Sequence, residues 1–199
     1  MTMPTYLIHS LGEMDGGTRN IRGRTLFVFG ADVMARVHDG FNSERPFFHH
    51  ELFHVYHTPK YESCDAVWCS LWTEGLAVLV AKRLNPDATD AELLLTCPRP
   101  LRAAFDANRK EAVCAIQARF NSEKGEDYRP LFNNPKDAAI SPRLPGRFAY
   151  YVGYLVAQQA EKTHSLQQLA ALTPEQAKPV VKRALDSLGN CGRTRRKAA

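Results

Sequence analysis

The segment FFHHELFHVYH, residues 47–57, holds four of the chain's seven histidines and a single glutamate. Within it, His50, Glu51 and His54 satisfy the pattern H-E-x-x-H. On a helix, positions i and i+4 lie on one face about one turn apart, so two imidazoles there can share a metal ion at roughly 2.0–2.1 Å. Glu51 then projects about 100° away, where a carboxylate can reach a metal-bound water without ligating. A zinc-bound water loses its proton far more readily than bulk water, and the carboxylate can accept that proton as the water attacks a carbonyl. Leu52 and Phe53 fall on the far side, as anchors in the core. The other reading of the segment is an apolar helix with histidines at its polar edge.

Two histidines do not hold a catalytic zinc; three protein ligands and a water are usual. The segment SLWTEGLAVLV, residues 70–80, offers the third. Glu74 lies twenty positions after His54, in a largely apolar run from Ala66 to Ala81. A carboxylate in the middle of a buried helix is costly unless something neutralises it, and a zinc ion does so. A loop over residues 59–64 returns the second helix beside the first, with Gly75 letting the two backbones approach. The competing reading has Glu74 exposed, or bridged to Lys82 or Arg83.

HELFH, followed after nineteen intervening residues by the glutamate of WTEGLA, resembles the gluzincin class of zinc metallopeptidases, whose best-known member is thermolysin. It is more similar still to small bacterial predicted Zn-dependent proteases with the same two-helix core. The motif covers residues 46–84, and a weaker similarity runs through PGRFAYYVGYLV, residues 145–156. The resemblance implies a hydrolase of peptides or proteins with His50, His54 and Glu74 as Zn2+ ligands and Glu51 as general base. One position departs from the thermolysin pattern. The acidic residue expected one turn after the ligand glutamate is Val78, which leaves Asp65 as the candidate to orient a histidine ring.

Carbonyl hydrolysis also needs a donor for the developing oxyanion. In the helix opened by Pro145, Arg147, Tyr150, Tyr151 and Tyr154 fall at i, i+3, i+4 and i+7 and share a face. Gluzincins use a tyrosine or histidine from a separate helix for this task. Tyr150 or Tyr154 is therefore expected to reach the zinc site, with Arg147 beside it; the alternative is amphipathic packing. His57 is expected as an outer-sphere or substrate contact, His49 to point away, and His9, His38 and His164 to be ordinary surface or satisfied histidines. RTLFVFG, residues 24–30, is the best strand candidate. The gluzincin resemblance makes it an edge strand beside the cleft, pairing with an extended substrate; an inner strand is the other reading.

The elements that must position these groups read as a small N-terminal sheet followed by helix after helix, so the fold class is mainly α (α+β). TYLIHSL (5–11) and RTLFVFG form a hairpin around a turn at DGGTRN (15–20). Helices are expected over 31–40, from Pro46 to Thr58, from Asp65 to Leu84, and from Pro100 to Phe120. Capping boxes at Thr89–Glu92, Ser165–Gln168 and Thr173–Gln176 open shorter ones. Residues 121–144, rich in turn formers, read as an ordered loop. Residues 1–189 form one domain, and 190–199 a basic, solvated tail.

That tail carries Arg193, Arg195, Arg196 and Lys197, much of the formal net charge of +5. The remaining body is nearly neutral and shows no basic face, so nucleic acid is not an expected partner. No apolar run is long enough to span a membrane. The start, MTMPTYLIHSLG, lacks a secretory leader, which predicts a cytoplasmic protein; a leader ahead of this start would instead make it exported or periplasmic. Five cysteines without a CxxC pair do not read as a disulfide framework but as small apolar residues in a reducing compartment, with one or two bridges if the protein is exported. The leading expectation is a zinc-dependent peptide hydrolase. The alternative is a non-catalytic, zinc-stabilised domain that binds a peptide or protein.

Overall fold

The computed structural model describes residues 3–133, 139–189 and 191. It opens with three short strands: β1 (Thr5–Ile8), β2 (Thr18–Ile21) and β3 (Arg24–Gly30). The sheet order is β1-β3-β2, with β1 parallel and β2 antiparallel to β3. The expected hairpin between 5–11 and 24–30 is therefore not formed. Its place is taken by β2–β3, joined through Arg22 and Gly23 at φ of 52° and 76°. Positive φ at both central residues is the two-residue turn whose twist matches antiparallel strands. β3 is the central strand, not an edge, and Phe27 and Phe29 from it bury against Phe47.

Eight α-helices follow among the described residues: α1 (Ala31–Val37), α2 (Arg45–His57), α3 (Val67–Leu84), α4 (Leu101–Arg119), α5 (Gly125–Phe132), α6 (Phe148–Glu161), α7 (Leu166–Ala171) and α8 (Pro174–Leu188). The class is mainly α with a small sheet, as composition and periodicity predict. Pro46 sits in the first turn of α2, and Thr58–Lys60 tighten into a 3-10 turn that ends it. Both late capping boxes close as expected, Ser165 with Gln168 and Thr173 with Gln176.

Helix α3 is apolar on all sides and lies at the centre, as such a helix must. Leu71, Trp72, Leu76, Ala77 and Leu79 have no exposed surface, and burying each large side chain contributes about 1.5–3 kcal/mol. Around α3 pack α2, α6 and α8. Gly75 does not face α2 as expected. It meets Gly153 of α6, and a Cβ at either position would run into the other helix's backbone. One core extends from Phe53 to Leu188.

Three local expectations are corrected. The capping box at Thr89–Glu92 forms, but no helix follows. The Glu92 carboxylate also accepts from the backbone N–H groups of Asn42 and Ser43, so it staples two loops instead of starting a helix. Residues 125–132, read as loop, form α5, because Tyr128, Leu131 and Phe132 pack on the core. The cysteines pair, Cys64 with Cys69 and Cys114 with Cys191, at Cα separations of 6.1 and 5.5 Å, leaving Cys97 free. The basic tail lies outside the described residues apart from Cys191. No described helix is long and apolar enough to cross a membrane.

The α3–α6 contact yields a stability prediction. Gly75→Ala should lower unfolding free energy by about 3 kcal/mol, because backbone and not a flexible side chain must give way. Gly125→Ala, with nothing within 4 Å of the added methyl, should stay within about 0.5 kcal/mol. Urea denaturation of both variants measures the contrast.

Candidate metal centre

His50 and His54 project from the same side of α2, and Glu74 comes from the middle of α3. Their donor atoms converge: the two Nε2 atoms are 3.0 Å apart, and each lies 3.3 Å from Glu74 Oε2. Donors on a tetrahedron about 2.0–2.1 Å from a central zinc are separated by roughly 3.3 Å, so the three atoms have the spacing of a shared ion. Among the described residues this trio is the one cluster of three such groups that can hold a metal. Side-chain exposures of 13%, 14% and 21% leave one side of it open.

The electrostatics match that arrangement. Burial opposes charge on Glu74, but the His54 charge and hydrogen bonds from both imidazoles hold its carboxyl well below the usual carboxylate range. Burial likewise opposes charge on His54, and the Glu74 carboxylate overturns that and raises the imidazole. Glu51 behaves oppositely. Burial pushes its carboxyl up, His50 and His54 work against that, and the Glu74 and Asp15 charges add to it.

The trio opens into a cavity of about 310 Å³. Glu51 lines it, with Tyr150 and Arg147 at the head of α6. The roof is the stretch Asp15–Arg19, which carries Gly17 to within reach of Glu51 and runs into β2, an edge strand among the described residues. Leu93 and Leu94 form an apolar wall.

Of the two candidate oxyanion donors, the structure brings Tyr150 to this cavity and not Tyr154. Burial, with Glu74 adding and Arg147 opposing, pushes the Tyr150 phenol well above its ordinary value, so it is a neutral donor. The Tyr154 hydroxyl accepts from Gln158 at 2.9 Å and is not part of the cavity wall. Residues i and i+4 share a helix face but lie about 6 Å apart along the axis, which carries Tyr154 past the cavity's end. Arg147 lines the cavity beside Tyr150: at φ 66° it caps α6 in a left-handed turn and lays its guanidinium over the Tyr150 ring, 4.8 Å from the centroid. Tyr151 turns away to accept from Arg102.

Other expectations fall differently. Phe53 is buried, but Leu52 is 54% exposed and anchors nothing. Asp65 is exposed, and among the described residues no hydrogen bond joins it to either imidazole. His49 Nδ1 pairs with Asn85, 2.8 Å away. His38 is buried and paired with Glu44. His57 does not line the cavity; it is fully buried between the Phe53 and Tyr61 rings, with neither ring nitrogen partnered among the described residues. Two groups escaped sequence reasoning. The DGGTR stretch was legible only as a turn, although its paired glycines signalled close packing. Tyr128 of α5 stacks on Phe132, which meets Tyr150 edge-on. Burial raises its phenol, and the Glu74 charge raises it further.

No protein-family profile matches the chain, and no curated protein or solved structure matches it.

Burial, with the Lys60 and His54 charges adding, pulls His57 down to about 3. Between its unfolded value near 6.5 and that folded value, the unfolded chain binds a proton that the folded chain does not. Stability therefore falls as pH drops through this window, by up to about 1.4 kcal/mol per unit. His57→Phe removes the liability. Relative to wild type, the variant should gain about 2 kcal/mol on going from pH 7 to pH 5, read by chemical denaturation at both pH values.

Proposed function

We propose that the chain is a zinc-dependent peptide hydrolase in which His50, His54 and Glu74 hold the ion and Glu51 is the general base. The observation that carries this reading is the convergence of three ligand atoms at tetrahedral spacing, with Glu51 in the adjoining cavity. A zinc ion held there supplies a Lewis acid and a water that ionises near neutral pH. Glu51 takes a proton from the attacking water and returns it to the leaving amine. A carboxyl raised by burial suits both directions of that transfer. The neutral phenol of Tyr150 donates to the oxygen that becomes negative on the substrate carbonyl. Since β3 is internal, the strand available to an extended substrate is β2, whose Thr18 and Arg19 line the cavity and whose outer edge is unpaired among the described residues.

A purely structural zinc domain has no use for an acid placed like Glu51, which favours the enzyme over the binding module. The two cysteine pairs favour an oxidising compartment over the cytoplasm.

Metal analysis and peptide turnover test the reading together. Wild type should carry one zinc per chain, and His50→Ala and Glu74→Ala should lose it. Glu51→Gln should lower turnover by roughly 10²–10⁴-fold, and Tyr150→Phe by about 10²-fold, both with zinc content unchanged. Hydrolysis by Glu51→Gln at the wild-type rate would contradict the assignment.

A further inference from the structure

Arg147 stands apart from the other arginines. Among the described residues only Arg119 and Arg147 are half-buried; every other arginine is exposed. Arg119 is neutralised by Asp127 at 3.1 Å. Arg147 has no carboxylate within ion-pair distance and no hydrogen bond from its guanidinium among the described residues; the guanidinium lies over the face of the Tyr150 ring. A partly desolvated guanidinium is ordinarily paired. This one instead lines the cavity beside the metal ligands.

Its backbone points the same way. At φ 66°, Arg147 occupies a left-handed conformation that disfavours any residue with a Cβ. Glycine would hold the turn at lower cost, so the fold does not call for arginine here. Across the cavity, Arg19 spends its guanidinium on the Thr18 carbonyl and the Met14 sulfur, both neutral. The wall near the ligands thus presents two guanidinium groups with no carboxylate partner among the described residues.

We propose that Arg147 is a specificity-determining residue that receives a carboxylate of the substrate next to the scissile bond. The guanidinium is a planar fork of donors matched to a carboxylate, and the Tyr150 ring backs it on one side. The inference rests on the hydrolase reading for the substrate being a peptide, and it deepens that reading to peptides with a negative charge at the cleavage position. That carboxylate comes either from an Asp or Glu side chain or from a free chain terminus, and the two sources are separable.

Binding without turnover tests this. Three N-acetylated alanine-based tripeptides serve as probes: the C-terminal amide, the same amide with a central glutamate, and the free acid. Each is titrated by calorimetry into the full chain carrying Glu51→Gln, with zinc in the buffer, and into the same protein also carrying Arg147→Gly. At least one carboxylate peptide should bind about tenfold or more tightly than the plain amide, and that preference should vanish with Arg147→Gly. Arg147→Lys should retain only part of it. Because glycine relieves the left-handed backbone, folding survives the test substitution. A preference for the central glutamate assigns the side-chain source, and one for the free acid assigns the terminus. Equal affinities for all three peptides, or a carboxylate preference unchanged by Arg147→Gly, would overturn the proposal. Neither result touches the hydrolase reading, which fails separately if Glu51→Gln turns over peptides as wild type does.

Discussion

Glu74 is the constraint on which the site depends. It sits on a largely buried helix whose Leu71, Trp72, Leu76 and Ala77, its neighbours in sequence, have no exposed surface, and its own side chain reaches the cavity. An ionised carboxylate in such a place is expensive without compensation, and here the compensation is the pair of imidazoles on α2. Together with the buried Phe47 and Phe53 of α2, this pairing accompanies the orientation in which Glu51 lines the same cavity. On the proposed reading, a divalent cation at the point where the three donors meet would complete that neutralisation more fully than the imidazoles alone. The site and the packing of its helices are one physical problem with one solution.

The scaffold around that interaction is built for close approach. Gly75, immediately after Glu74, lets α6 lie against α3 at Gly153. This contact brings the head of α6, with Tyr150 and Arg147, to the cavity. The N-terminal sheet closes the opposite side: Phe29 meets Phe47 and Phe48 of α2 at centroid distances of 5.9 and 5.1 Å, and the strand beyond it becomes the cavity's roof. The proposed metal ligands, general base and oxyanion donor thus come from three helices, all held by contacts to α3 or to the sheet that packs on α2.

Much of this was legible in the sequence because the signals are local or chemically costly. His50 and His54 are one helical turn apart, and a lone acid in an apolar run marks Glu74. The capping boxes at Ser165 and Thr173 involve residues three positions apart and read directly. What could not be read depends on distant partners. TRNI shows no apolar alternation, and β2 exists because β3 offers it an edge. Glu92 looks like the third residue of a helix until the loop at Asn42–Ser43 claims its carboxylate. Periodicity grouped Tyr150 with Tyr154, but the position of the cavity along α6 separates them. Gly75 announced a close approach, and nothing local could say that its partner was Gly153 and not α2.

Zinc K-edge X-ray absorption on the purified protein tests the central claim most directly. A centre built from His50, His54 and Glu74 predicts a four-coordinate zinc with only nitrogen and oxygen neighbours at about 2.0–2.1 Å and the outer-shell scattering of two imidazoles. A zinc with sulfur neighbours near 2.3 Å, or a protein that takes up no zinc at all, would contradict it.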